Sequence, residues 1–116
     1  MSIKIHFLPC HIKATKTSWQ VVTVLLEGKV IGSCNLSFWG GKNPAIESVF
    51  VDPKYRNKGV GRSMINACID ECESCRKESL YLTVNVKNKK AIKLYKKLGF
   101  FSLINDGTTI WMGLRI

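Results

Sequence analysis

Two closely spaced glycines, Gly59 and Gly61, constrain the fold of this chain more than any other feature. They follow a strand-like run at residues 46–51 and precede a helix-like run that begins near Arg62. Glycine at such positions permits a tight turn and leaves successive backbone N–H groups uncovered. Those groups lie at a helix start, where the helix dipole favours negative charge. The segment therefore predicts a strand–turn–helix unit whose turn holds a phosphate or pyrophosphate.

Three cations lie in the same turn and strengthen this prediction: Arg56, Lys58 and Arg62. The spacing differs from two common phosphate motifs. It lacks the Gly-Lys-Ser/Thr ending of a P-loop and the Gly-x-Gly-x-x-Gly spacing of a dinucleotide fingerprint. A plain strand-to-helix turn without a ligand is the alternative interpretation.

A second pattern lies about thirty residues further on, at residues 88–100. Its apolar residues recur at helical spacing and so share one face of a helix: Ala91, Leu94, Tyr95 and Leu98. Asn88 is suited to cap the start of this helix, and Gly99 is suited to end it. Taken alone, the pattern is more typical of an amphipathic helix with Tyr95 in the core.

Together the two patterns resemble the GNAT superfamily of acetyl-CoA-dependent N-acetyltransferases. That family carries Arg/Gln-x-x-Gly-x-Gly/Ala at the start of its central helix, here Arg56, Gly59 and Gly61. Its downstream helix pattern is matched here by Asn88, Ala91, Leu94, Tyr95, Leu98, Gly99 and Phe100. The resemblance covers residues 45–100 in detail. It implies an α/β fold with a central mixed sheet, in which two parallel strands splay apart around the cofactor.

The resemblance also implies an enzyme that moves an acetyl group from acetyl-CoA to a primary amine of a protein or small molecule by direct attack. The alternative is a weak or inactive module of the same fold that binds an acyl-CoA or a protein partner. The implied cofactor-binding residues are Val49, Phe50, Val51, Arg56, Asn57, Lys58, Gly59, Val60, Gly61, Arg62, Asn88 and Tyr95. In this set, the backbone of residues 49–51 pairs with the pantetheine arm, and residues 57–62 cradle the pyrophosphate. Arg56 either contacts phosphate or only pins the loop.

Two residues are implied to be catalytic. Tyr95 matches the family position that protonates the departing thiolate, and a tyrosine is protonated at neutral pH as an acid must be. Glu47 matches a position for the base that removes the amine proton, directly or through a water molecule. A surface carboxylate that balances nearby lysines is the alternative for Glu47. A second family position for the base is occupied by Thr83, and His6 and His11 match no family position.

The order of elements is four strands, a helix, a strand, a helix and two strands. Strands are expected at residues 3–8, 19–26, 30–39, 46–51, 80–85, 100–105 and 109–115, and helices at 59–75 and 87–98. Residues 11–18 read as a polar loop, whereas the family usually has one or two helices there. With these helices reduced, the acceptor site is either open or completed by a second subunit or by the substrate protein.

The length of 116 residues predicts a single domain, residues 1–116. No apolar run approaches the roughly 20 residues of a membrane span, and the N-terminus lacks a signal-peptide core, so we expect a cytoplasmic protein without a membrane partner. The odd number of cysteines, five, argues against a full disulfide framework. Cys68, Cys72 and Cys75 continue an apolar helical stripe, so we expect core packing rather than a metal site.

The formal net charge is +10, from 18 basic and 8 acidic residues. Segments 54–62 and 87–97 contain ten of the 18 basic residues and no acidic one. A phosphorylated cofactor accounts for part of this charge. The surplus fits a solvated surface or an acidic partner. A nucleic acid is the weaker alternative, because no nucleic-acid-binding motif accompanies the charge. The expected partners are an amine-bearing substrate and a second copy in a homodimer.

Overall fold

A seven-stranded mixed sheet, with two α-helices on one of its faces, makes up the described part of the chain. The computed structural model describes the backbone of residues 2–12, 17–38 and 43–116, and the side chains of residues 2–7, 20–38 and 43–116. The strands are β1 (Lys4–Ile12), β2 (Thr17–Leu26), β3 (Lys29–Phe38), β4 (Pro44–Val51), β5 (Ser79–Asn85), β6 (Phe101–Asn105) and β7 (Thr109–Arg115). The helices are α1 (Val60–Ser74) and α2 (Lys89–Lys97). The strand order is β1-β2-β3-β4-β5-β7-β6.

The predicted α/β fold and the order of its elements are confirmed. The predicted loop at residues 11–18 is wrong at both ends, since residues 11 and 12 belong to β1 and residues 17 and 18 to β2. The two strands pair from Lys4↔Leu25 to Ile12↔Thr17, and this ladder of backbone hydrogen bonds overrides the polar side-chain pattern. Residues 13–16, and the predicted strand end and loop at residues 39–42, lie outside the described residues.

Both helices pack on the same face of the sheet. Alternate strand residues point to that face and form one buried cluster with α1: Val22, Cys34, Leu36, Ile46, Leu82, Met112, Met64, Ile65 and Cys68. Helix α2 adds Tyr95 to this cluster. We call the opposite side of the sheet the open face; it bears Glu47, Tyr81, Thr83 and Trp111. No described helix covers it.

The prediction that Cys68, Cys72 and Cys75 pack in the core is right for two of the three. Cys68 and Cys72 are buried, as expected for core packing, and the Sγ atom of Cys68 lies 3.8 Å from that of Cys34. Cys75 is exposed and lies just past Ser74, the last residue of α1. In the described ranges, no group of three or more His, Cys, Asp or Glu side chains could hold a metal ion.

Strands β4 and β5 are parallel neighbours that stay together over only two residue pairs, Ala45↔Tyr81 and Ile46↔Leu82. We call this short contact the seam and the space beyond it the gap. Past the seam, β4 is bent by a bulge, where its pairing with β3 shifts register and Ser48 takes a φ of 55°. The predicted splaying of two parallel strands is therefore present.

Neither described helix is long and apolar enough to cross a membrane.

Candidate functional site

A groove of about 750 Å³ lies where β4, the start of α1 and α2 meet. This is within the usual size range of small-molecule sites. It is lined by Val49, Phe50, Val51, Tyr55, Arg56, Asn57, Gly59, Val60, Gly61, Arg62, Asn88, Lys90, Ala91, Leu94, Tyr95 and Lys97. Eleven of the twelve predicted cofactor residues are in this set; Lys58 is the exception. The two sequence motifs, about thirty residues apart, thus meet in space.

The β4 wall of the groove offers free backbone groups. Asp52 donates its N–H to the carbonyl of Ile31 on β3, at 2.8 Å. Because successive residues of a strand point to opposite edges, the N–H and C=O of Val51 point away from β3, into the gap, and the N–H of Val49 does the same. The gap removes the β5 ladder that would otherwise pair with these groups. Two N–H donors of β4 are therefore directed into the groove.

The turn before α1 supplies a second set of donors. Asn57 and Gly59 both have positive φ, 63° and 84°, which brings the chain sharply into the helix. The first backbone bond from the helix start joins the Ser63 N–H to the Gly59 carbonyl, at 3.0 Å. The N–H groups of residues 60–62 precede it and have no partner within the helix. A Cβ atom placed on Gly61 would lie 3.7 Å from Val51 Cγ2, so a side chain there would enter the groove.

Arg56 holds the turn to the end of β4. Its Nε donates to the Val51 carbonyl at 2.9 Å, although its side chain is exposed. Of the two predicted roles for Arg56, the structure contains the pinning contact, which uses one of the five guanidinium N–H groups. Lys58 is outside the lining, but its Nζ lies 5.9 Å from the centre of the ring of Tyr55, which lines the groove.

The far wall of the groove comes from α2. Asn88 caps this helix as predicted, since its Oδ1 accepts the Ala91 N–H at 3.3 Å. Tyr95 is 5% exposed and packs against Phe100 at 5.9 Å between ring centres. Burial raises the pKa of Tyr95 above its ordinary value, and the nearby Cys34 sulfur raises it further. Its hydroxyl is therefore protonated at neutral pH.

Glu47 lies apart from the groove lining. It is exposed on the open face, and its Oε1 accepts a hydrogen bond from Ser37 Oγ at 3.2 Å. It is the first β4 residue beyond the seam, and Thr83 is the first on β5, so the two flank the mouth of the gap. His6 is exposed on β1, three strands away from the gap, and the side chain of His11 is outside the described ones.

The groove has a cationic rim that sequence reasoning found only in part. Arg56, Arg62, Lys90 and Lys97 line it, and its lining contains no acidic residue. Lys90, Lys97 and Tyr55 were not predicted at the site. The lysines could have been found from helical spacing, because Lys90 lies four positions before Leu94 and Lys97 three positions after it, which places them on its face of α2. Tyr55 carries no such signal, since a single turn of 3-10 helix at Pro53–Tyr55 places it.

Comparison with known proteins agrees with this geometry. The model of the acetyltransferase (GNAT) family matches residues 4–100. The chain belongs to this family. The matched segment includes β4, the glycine turn, α1 and α2, which together build the groove.

Two curated relatives and one solved structure illustrate the similarity. The ribosomal protein bS18-alanine N-acetyltransferase of Escherichia coli is 42% identical over 53 residues, covering 46% of this chain and 36% of the relative. The glucosamine 6-phosphate N-acetyltransferase of Trypanosoma brucei brucei is 35% identical over 79 residues, covering 63% and 52%. An acetyltransferase of Salmonella typhimurium, solved with its cofactor acetyl-CoA, superposes with a TM-score of 0.72 at 25% identity, over 84% of this chain and 64% of that one. The chain spans about half or less of the length of the curated relatives it matches.

Proposed function

We propose that this GNAT protein transfers an acetyl group from acetyl-CoA to a primary amine. The groove is the observation that carries the proposal, because it combines a free strand edge, an open helix start and a cationic rim. The names of the relatives support the same reaction type, since both are N-acetyltransferases. They act on different amines, so they do not select the acceptor.

Three parts of the groove fit coenzyme A. The N–H groups of residues 60–62, at the positive end of the α1 dipole, suit the pyrophosphate. The Val49 and Val51 N–H groups suit an amide-containing arm, which can add to β4 as a strand would. Arg62, Lys90 and Lys97 supply cations for the phosphates. The open space beside Gly59, where a Cβ would meet nothing within 4 Å, lets phosphate approach the backbone closely.

The bound cofactor supplies an activated acetyl thioester. The residues of this chain then have three tasks. The backbone N–H groups of Val49 and Val51, which point into the gap, polarise the acetyl carbonyl by donating to its oxygen. Tyr95 donates its phenolic proton to the leaving sulfur, which its raised pKa keeps available at neutral pH. Glu47 accepts the proton of the attacking amine, directly or through water, from its place at the mouth of the gap.

A catalytically weak or inactive module that binds an acyl-CoA is the second candidate function. The observation in its favour is the position of Glu47, which is exposed and outside the groove lining. The two candidates share the cofactor and differ in turnover. Release of free thiol from acetyl-CoA in the presence of amines separates them.

Isothermal titration with acetyl-CoA and with 3′-dephospho-CoA tests the cofactor site. We expect micromolar binding of acetyl-CoA and weaker binding of the dephosphorylated form, because the cationic rim loses an anionic contact. Absence of binding by either compound would contradict both candidate functions. Equal binding would place the 3′-phosphate outside the rim while leaving the groove assignment intact.

We propose a cytoplasmic location for this protein. Cys34, Cys68, Cys72 and Cys75 are all free thiols, as expected in a reducing compartment. An amine-bearing substrate is the required partner. A homodimer stays a prediction for how the open face is completed, and a nucleic acid stays the weaker alternative for the surplus charge.

A further inference from the structure

The open face carries a cluster of exposed apolar side chains that the cofactor groove does not use. We call it the apolar patch and define it by Phe101, Leu103 and Ile104 of β6 and Trp111 of β7. Their exposed fractions are 51%, 47%, 62% and 40%. Single exposed apolar residues need no explanation, whereas a contiguous cluster marks a surface that binds something.

The patch is contiguous across β6 and β7 and adjoins β5. Trp111 pairs with Thr83 on one side and with Ile104 on the other, so these side chains point to the same face. A Cβ atom placed on Gly113 would meet Leu103 Cδ1 at 3.1 Å and Tyr81 Cε1 at 3.2 Å. Leu103 and the half-buried Tyr81 therefore converge above Gly113 and join the patch to the seam.

Only β5 separates the patch from the gap. Thr83 is the first β5 residue beyond the seam, and Trp111 is its direct neighbour. Glu47 lies on the opposite side of the same opening and on the same face. The cofactor groove lies on the helix side, so the open face remains as a route by which an amine reaches the gap. The surface next to that route is the apolar patch.

The charge pattern allows an amine to approach here. The chain carries a net charge of +10, yet residues 98–105 and 107–114 contain no charged residue. A cationic amine is therefore repelled less at the patch than along α2, where Lys89, Lys90, Lys93, Lys96 and Lys97 are exposed. The uncharged surface does not select polyamines, aminoglycosides or amino sugars, because it offers their polar groups few partners.

The dimensions favour an extended chain over a small amine. Adjacent strands are roughly 4.8 Å apart, so Ile104 lies about 10 Å from Thr83 across the sheet. Phe101, which pairs with Gly113, lies about 7 Å further along the strands than Ile104. Several consecutive residues are needed to cover such a surface.

We propose that the apolar patch binds the first few residues of a polypeptide acceptor, and that these residues are apolar. The amine is then the amino terminus of that polypeptide, placed at the gap beside Glu47. This rests on the proposed acetyl transfer and deepens it by naming the acceptor class. Exposed aromatic and aliphatic side chains without charges are typical of the centre of such a contact.

Two peptides of equal length and charge, with amidated C-termini, test the proposal. Both begin with serine; one continues with leucine, isoleucine and phenylalanine, and the other with serine, threonine and asparagine. Acetylation is followed by the free thiol released from acetyl-CoA and by the peptide mass. We expect a higher kcat/KM for the apolar peptide, arising from a lower KM. Equal or absent acetylation of both peptides, while acetyl-CoA binds in the calorimeter, would overturn the proposal and leave the cofactor site standing.

Ile104→Thr and its matched control Val30→Thr identify the surface. Both residues are exposed and β-branched, but Val30 lies at the start of β3, away from the gap. Ile104→Thr should raise the KM of the apolar peptide about three- to tenfold, the size expected when a hydroxyl replaces the ethyl group in a partly buried apolar contact, with kcat and acetyl-CoA affinity unchanged. Val30→Thr should change nothing, and Trp111→Thr serves as the second variant should Ile104→Thr fail to fold.

Two further outcomes would refute the proposal. If Ile104→Thr leaves every kinetic constant unchanged but converts a dimer into a monomer on sedimentation, the patch is an interface between copies of this chain. If acetyl-CoA does not bind at all, the proposed function fails first, and the acceptor assignment fails with it.

Discussion

At the scale of single residues, the site depends on side chains held by specific neighbours. Tyr95 is fixed in the core by Phe100 and kept protonated by burial. Arg56 ties the turn to Val51 through its Nε. Gly61 leaves room between Val51 and Leu94, where any side chain would project. Each of these residues can be substituted while the other two keep their contacts.

Tyr95→Phe should lower kcat roughly 100-fold, the usual contribution of a general acid, while leaving acetyl-CoA affinity unchanged. The ring remains, so the packing against Phe100 is kept. In the unmodified protein, the raised pKa of Tyr95 means that its proton is half lost only at a pH above the ordinary value of 10.0. The rate should therefore show no decline from this group near neutral pH, and its loss should be centred above pH 10.0. A full rate in the Phe variant would remove Tyr95 as the acid.

Gly61→Glu should abolish acetyl-CoA binding, because a carboxylate would enter the space that faces the phosphates. Asn66→Glu is the matched control, since it adds the same charge at an exposed position further along α1. Calorimetry should detect loss of binding in the first variant and near-normal binding in the second. Equal binding by both variants would refute the assignment of the α1 start as the phosphate site.

At the scale of elements, the sequence predicted the features that depend on neighbouring residues in the chain, such as helix caps and strand alternation. The Asn88 cap and the strand β7 at Thr109–Arg115 agree with the structure, because capping and alternation are local properties. The bulge at Ser48 was not predictable, since a serine carries no sign that pairing with β3 and splaying from β5 will force a positive φ. The extent of β1 was missed for the same reason: its length depends on its partner β2.

The end of α1 sets a sharp contrast among its cysteines. Burial raises the pKa of Cys72 to about 12, and that of Cys68 is also raised, chiefly by its contact with Cys34. Only the thiolate reacts with iodoacetamide, so both should resist alkylation in the folded protein near neutral pH. Cys75 is exposed and should react. Peptide mass spectrometry before and after denaturation measures this, with Cys75→Ser as control; labelling of Cys68 at the Cys75 rate would contradict the packing.

At the scale of the whole molecule, positive charge is concentrated on the side that contains the groove. The lining includes Arg56, Arg62, Lys90 and Lys97 without an acidic residue, and α2 adds further exposed lysines. Away from the lining, Lys29 forms an ion pair with Asp52 at 4.0 Å. Anionic ligands should therefore be attracted from a distance, and added salt should weaken that attraction.

Raising the salt concentration from 50 to 500 mM should weaken acetyl-CoA binding roughly three- to tenfold, because exposed charges beyond a Debye length become screened. The effect should be smaller for 3′-dephospho-CoA, which carries less negative charge. Titrations at several salt concentrations measure both slopes. An affinity independent of salt would mean that backbone groups, rather than the cationic rim, dominate binding.

The seam has a mechanical consequence. The sheet consists of two ladders, one of strands β1 to β4 and one of β5, β7 and β6. Only two residue pairs join them. Under a pulling force, the sheet should tear along this line first, because few backbone bonds resist separation there. A molecule seated in the groove contacts β4 on one side and α2 on the other. It therefore bridges the two halves of the sheet across the seam. The protein with a bound ligand should withstand a greater stretching force than the protein without one.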